Sequence, residues 1–186
     1  DITIPTTLLE AVARWAAVEG HLSQVRFVNG EIVATDGMRL VRVPLETHGQ
    51  AFGLRRGDAL AAVAAQDASS GGRRRGAEIR IRVAAPGVLD LRLGPADRPV
   101  IRVEAESMAF PPYEEMFTAF DPARRGPVPD EIAFDPALLG SNREVVDALR
   151  AGERQVRVTW WGGMTDPTLF EGPAGSRFVV MPMRQI

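Results

Sequence analysis

The chain has 186 residues, 45% hydrophobic and 25% charged, with 22 basic residues against 24 acidic ones and a net charge of −2. This size and composition suit a globular protein of one large or two small domains, and the absence of Cys excludes disulfides and thiolate metal sites. Apolar runs of about ten residues or fewer, broken by charge, are too short for a membrane span of roughly 20 residues, and with no export signal visible a cytoplasmic setting is expected.

From the first residue, Asp1–Pro5 alternates as a strand does. Thr6 or Thr7 then caps a predicted helix through LLEAVARWAAVEG, whose Leu8, Leu9, Val12, Trp15, Ala16 and Val18 share a face and whose stop is Gly20. The next segment, HLSQVRFVNGEIVATDGMRLVRVPLE, carries Asn29-Gly30, the strongest short hairpin signal, and a second turn at Asp36-Gly37, so three strands follow the helix.

The same order then returns. QAFGLRRGDALAAVAAQ is an extended piece leading into a helix over Gly57–Gln66. Three alternating strands follow in AEIRIRVAAPGVLDLRLGPADRPVIRVEAE, punctuated by Pro86-Gly87 and Gly94-Pro95. DASSGGRRRG between helix and strands is a predicted surface loop. A third pass runs from an extended DEIAFD at Asp130, through a helix over Pro136–Arg150, to strands in RQVRVTWWG, PTLFEG and RFVVMPM. The period is about 45–60 residues, each unit a strand, a helix and three strands. Such a unit buries too little alone, but units side by side join their strands into continuous antiparallel sheets with helices along one face. The predicted class is therefore α+β, with open sheet edges at either end.

Three stretches carry a family resemblance: VATDGMRL (Val33–Leu40), FPPYEEMF (Phe110–Phe117) and FVVMPMR (Phe178–Arg184). In this order they resemble signatures of the bacterial DNA polymerase III beta subunit, the beta sliding clamp. The resemblance implies a DNA clamp fold. Residues 1–121 resemble the clamp's complete middle domain, 122–129 form a linker, and 130–186 resemble the second half of its third domain. The family carries six half-units per chain and twelve in its ring, whereas this shortened clamp-like chain keeps three. Four copies would restore twelve, so a homotetramer is the favoured homo-oligomer, with a monomer or an incomplete arc as its rivals.

The resemblance also implies a function: a processivity platform that encircles double-stranded DNA without reading its sequence, and recruits polymerase or repair proteins carrying clamp-binding motifs. In the family a turn and the C-terminal strand wall a shallow apolar pocket for such peptides. Carried over, one wall is Leu22, Thr35, Gly37, Met38, Arg39 and Leu40, and the other is Val179, Val180, Met181, Pro182 and Met183. Met38 stands where the family signature has His. The chemistry suits docking, since Met side chains adapt to varied partners and Pro limits backbone freedom.

DNA contacts are expected on the helix-lined inner face at Arg14, Arg55 and Arg56, with Arg143 and Arg150 on the third helix. All 22 basic residues are Arg, and binding requires them gathered on one surface. Arg73, Arg74 and Arg75 sit in the predicted loop, where DNA, an acidic partner or water are all open. The bland reading of each Arg is a solvated surface, and of FPPY a packing stretch with no partner contact. His21 and His48 belong to no motif, no Lys exists to complete a P-loop, and Glu114-Glu115 reads as ordinary exposed carboxylate, so neither enzyme activity nor a cofactor nor a metal is expected. The competing function class is a non-encircling module that binds clamp partners or a clamp subunit as regulator or decoy.

Overall fold

The computed structural model describes residues 1–70, 77–94, 100–107, 109–118, 143–148, 157–160 and 167–181. In chain order the first unit comprises β1 (Ile2–Pro5), α1 (Thr6–Ala13), β2 (Gln24–Val28), β3 (Glu31–Thr35) and β4 (Arg39–Pro44). The second comprises β5 (Phe52–Arg55), α2 (Arg56–Ser69), β6 (Glu78–Ala85), β7 (Val88–Leu93) and β8 (Val100–Glu104). A short helix α3 (Tyr113–Thr118), a helical segment at 143–148, and β9 (Arg157–Trp160), β10 (Thr168–Glu171) and β11 (Arg177–Val180) complete it. The α+β class and the recurring unit stand as the sequence predicts. The predicted strand at Asp130 and most of the third helix lie outside the described residues.

Strand pairing departs from a simple row of units. The strands form a four-stranded sheet, β1-β6-β7-β8, and a seven-stranded sheet, β5-β2-β3-β4-β11-β10-β9, all antiparallel. The opening strand of each of the first two units has crossed over: β1 pairs with β6, and β5 with β2. Neither unit closes its sheet without the other, so their stability is shared.

Alternation explains the core. Ile2 and Ile4 of β1, Ile79 and Ile81 of β6, and Leu89, Leu91 and Leu93 of β7 point to one side, where Leu8, Leu9 and Val12 of α1 and Ala59, Ala62 and Val63 of α2 meet them. The two helices pack together on this side. Val145, Val146 and Ala148 of the 143–148 segment and Phe178 and Val180 of β11 enter the same cluster.

Two local expectations are corrected. Helix α1 starts at Thr6 rather than after it: Pro5 occupies the N-cap position with no side-chain cap, and the buried Thr6 Oγ1 has no hydrogen-bond partner. It ends at Ala13, with Arg14 as C-cap, well before Gly20. Trp15 and Ala16 remain buried in the turns that follow, whereas Val18 is 73% exposed instead of lying on a helical face. Bulky Trp15 is satisfied by the sheet beneath it and does not need a longer helix.

The hairpin signal is met in full. Asn29 (φ 51°) and Gly30 (φ 79°) both adopt the left-handed conformation that a two-residue turn of this hand requires.

Candidate functional site

The site is built on a seam. Strand β11 lies against β4 in antiparallel register, with Val180 opposite Arg39, Val179 opposite Leu40 and Phe178 opposite Val41. Beyond the last pair the backbone N–H of Met181 donates to the carbonyl of Met38 at 2.9 Å. This brings the two sequence-predicted walls together.

The turn joining β3 to β4 is held by its own side chains. The Asp36 carboxylate accepts from the backbone N–H of Met38 (3.0 Å) and of Arg39 (3.1 Å) at Oδ1, and from Arg39 Nε (2.8 Å) at Oδ2. Thr35 Oγ1 donates to the carbonyl of Arg39 (2.7 Å) and accepts from the N–H of Gly37 (3.1 Å). Gly37 adopts φ +93°, which a side chain would strain. Arg39 also lies 4.9 Å over the ring of buried Trp15 and donates to the carbonyl of Arg14. The turn is thus preorganised before any partner arrives.

Alternation divides the wall residues by role. Leu40 and Val179 point away from the helices into a second cluster with Val33, Leu169 and Tyr113. Val180 points the other way into the main core, and Thr35 is buried. These four hold the seam together and offer no side-chain surface. What remains accessible is Gly37, Met38 at 55% exposure, and the half-buried Leu22, Arg39 and Met181. A Cβ on Gly37 would lie 3.6 Å from Leu22 Cδ1, which places Leu22 directly under the turn. Pro182 and Met183 lie outside the described residues.

A strap covers the other side of the seam. After β8, residue 106 bridges Gly53, and Phe110 through Phe117 cross the seven-stranded sheet. The Tyr113 hydroxyl donates to Glu31 Oε1 at 2.7 Å, while Arg42 pairs with Glu31 Oε2 and lies 5.4 Å over the Phe117 ring. Asn29 Nδ2 donates to Glu114 Oε1 at 3.2 Å, and Phe110 meets the Tyr113 ring edge-on at 6.0 Å. Burial, reinforced by the Glu31 carboxylate, pushes the Tyr113 phenol well above its ordinary value. The packing role predicted for this stretch is therefore met by a specific cross-sheet anchor, which the sequence signals only through its aromatic spacing.

The expected DNA-facing arginines separate. Arg14 lies at the end of α1 but is engaged by Glu10 (2.7 Å) and Glu144 (3.6 Å). Arg143 pairs with Asp147 at 3.4 Å. Arg56 opens α2 and is half-buried. Arg55 is exposed at the end of β5: Leu54 beside it enters the core, and Arg55 Nε donates to Glu106 Oε2 at 3.0 Å. Arg150 and Arg73 to Arg75 lie outside the described residues. On α1, α2, the Arg14 cap and the 143–148 segment, three arginines (Arg14, Arg56, Arg143) face five carboxylates (Glu10, Asp58, Asp67, Glu144, Asp147). A cleft of about 300 Å³ between α1 and the 143–148 segment is lined by Glu10, Arg14, Glu144 and Asp147. The described helical face is thus acidic on balance.

Among the described residues no group of three or more His, Asp or Glu side chains is placed to hold a metal ion, and no helix is long and apolar enough to cross a membrane. His21 and His48 are exposed loop residues, with His48 Nδ1 3.2 Å from Glu46.

No family model and no curated protein matches this sequence. Solved structures do match it. The DNA polymerase sliding clamp of Pseudomonas aeruginosa with ligand is similar at 17% identity and a TM-score of 0.63, over 98% of this chain and 65% of that one. The DNA polymerase III subunit beta of Borrelia burgdorferi in complex with a natural product is similar at 10% identity and a TM-score of 0.64, over 100% of this chain and 64% of that one. A. fulgidus PCNA, solved bound to the C-terminal region of FEN-1, is similar at 12% identity and a TM-score of 0.54, over 100% of this chain and 98% of that one. The chain spans about two thirds of the bacterial clamp chains that it matches. It has the sliding-clamp fold.

Proposed function

We propose that this chain, built on the sliding-clamp fold, is a non-catalytic tethering platform that captures short apolar motifs of DNA polymerase or repair proteins on the rim formed by Leu22, Met38 and Met181. The β4–β11 seam carries this reading. It joins the third unit's last strand to the turn of the first and sets two thioethers beside a preorganised loop. Pro182 and Met183 extend that rim in the same proposal.

The same reading takes the chain as a homo-oligomeric ring around duplex DNA, with a homotetramer as the favoured assembly and 1–121, 122–129 and 130–186 as its domain, linker and half-domain. Strand β8 supports it: among the described residues β8 ends its sheet, and Val100 on it is 47% exposed. An open edge of this kind invites another strand. Since the described helical face carries more carboxylates than arginines, retention on DNA would come from enclosure rather than from ion pairing. Measuring mass in solution against 20.2 kDa per chain, then retention on circular and linearised DNA, tests the proposal. An oligomer near four chains, held on circles and lost from cut ends, is the expected result. A monomer released equally from both would overturn the ring.

The acidic helical face favours one competing reading, a non-encircling module that binds clamp partners or a clamp subunit. Capture of clamp-motif peptides without retention on circles would select it.

A further inference from the structure

The opening strands of the first two units follow one rule. Each carries apolar residues four and two positions ahead of its helix: Ile2 and Ile4 before Thr6, Phe52 and Leu54 before Arg56. Neither strand stays on its own unit's sheet. Leu54 lies opposite Val25 and Phe52 opposite Phe27 on β2, while Ile4 lies opposite Ile79 and Ile2 opposite Ile81 on β6. The two units thus exchange opening strands, and each receives its new strand on the first of its own three.

Among the described residues the third unit receives no such strand. Its first strand, β9, stands where β2 and β6 stand in the other units, and it ends the seven-stranded sheet. Burial records the difference. Beneath their covering strands Val25, Phe27, Ile79 and Ile81 are fully buried, whereas Val158, the core-facing residue of β9, is only half-buried. On the other face of β9 the Arg157 side chain is 80% exposed, with Glu171 at 3.9 Å. The third opener, DEIAFD at 130–135, lies outside the described residues, but its sequence keeps the rule: Ile132 and Phe134 stand four and two positions ahead of Pro136, where the predicted helix begins.

We propose that two copies of this chain join through their third units, each laying its Ile132–Phe134 segment antiparallel along β9 of the other. Within these 186 residues the third unit has no fourth with which to exchange. A second copy supplies both things it needs, a bare β9 and an opener of the right spacing. In the two existing pairs the apolar residue two ahead of the helix meets the receiving strand's first inward residue, and the one four ahead meets its second. Applied to RQVRVTW, whose alternation runs through Val156 and Val158, this sets Ile132 opposite Val158 and Ala133 opposite Arg157. Glu131 and Asp135 of the second copy then lie diagonal to Arg157, so its exposed guanidinium meets two carboxylates. Each copy covers its partner's open edge, which makes the contact two-fold and closed rather than head to tail. It draws on strand exchange alone and stands apart from the docking rim and from ring closure.

The chain has no Cys, so introduced thiols report without background. Full-length Ala133→Cys and Arg157→Cys chains, mixed and oxidised, should yield a disulfide-linked species of twice 20.2 kDa, because directly opposed strand residues lie at Cα separations that a disulfide spans. Neither variant alone should do so. The unmodified chain should show an even number of copies by mass in solution, and Ile132→Asp with Phe134→Asp should halve that mass. If the aspartate variant fails to fold, the cross-link decides. A monomeric or three-copy mass overturns the proposal, as does a mixture that forms no cross-link. So does a chain carrying both Cys substitutions that closes its disulfide internally with no change in mass, since its opener would then lie on its own β9. A two-copy species that cross-links as expected yet slips from circular DNA removes the ring and leaves this inference standing.

Discussion

The rings of Trp15 and Phe178 lie 5.6 Å apart, both fully buried, so the turn after the first helix and the last described strand share one core. Residues 163 positions apart in sequence thereby hold the seam on which the candidate site is built. Phe178→Ala would open a cavity there and cost about 3–5 kcal/mol. Thermal unfolding should show a fall in melting temperature together with loss of peptide capture. Intact capture by a strongly destabilised variant would show the rim to be independent of the seam.

The accessible rim can be probed without touching the core. Met38→Ala combined with Met181→Ala removes two flexible apolar side chains, one exposed and one half-buried. Affinity for a clamp-motif peptide should drop about tenfold, equivalent to about 1.4 kcal/mol, while melting temperature and oligomeric mass stay constant. An unaltered dissociation constant would remove the docking assignment.

The turn behaves as a unit because Asp36 serves two backbone N–H groups and one guanidinium. Asp36→Ala should cost about 1–3 kcal/mol by orphaning those donors. Gly37→Ala should cost about 1–2 kcal/mol through its positive φ, because the new Cβ would sit at ordinary contact distance from Leu22. Chemical denaturation checks both. A neutral Gly37→Ala would mean the turn has relaxed to another conformation.

Tyr113 is the only tyrosine, so its titration can be followed by phenolate absorbance without interference. Its folded pKa is raised, so its contribution is fully present below the ordinary value of about 10 and is lost as pH climbs through the folded value. Stability should therefore decline above about pH 10 as the strap loses its anchor. Tyr113→Phe should lower stability at neutral pH by about 1–3 kcal/mol, since buried Glu31 keeps Arg42 but loses a donor, and should remove the phenolate signal. A phenol ionising at its ordinary pH in the folded protein would show the Tyr113–Glu31 contact to be absent.

Much of the architecture is legible locally. Period-two runs and the Asn29-Gly30 and Pro86-Gly87 turns predict β2, β3, β4, β6 and β7 close to their observed bounds. The Leu54–Arg55 alternation also carries the signal that Leu54 enters the core while Arg55 stays exposed. The end of α1 is less legible, because Trp15 and Ala16 continue a helical spacing while being buried in a turn. The strap's anchor is less legible still, since Tyr113 and Glu31 are 82 residues apart.

Which segments extend, where they turn and which side chains face inward can be read along the chain, because backbone sterics and the periods of strand and helix act over a few residues. Which edges meet is a long-range outcome of the fold: β1 with β6, β5 with β2, and β11 with β4. Alternation specifies the faces of a strand but not its neighbour. Every edge offers the same N–H and C=O groups, so the partner is selected by which arrangement buries the common core.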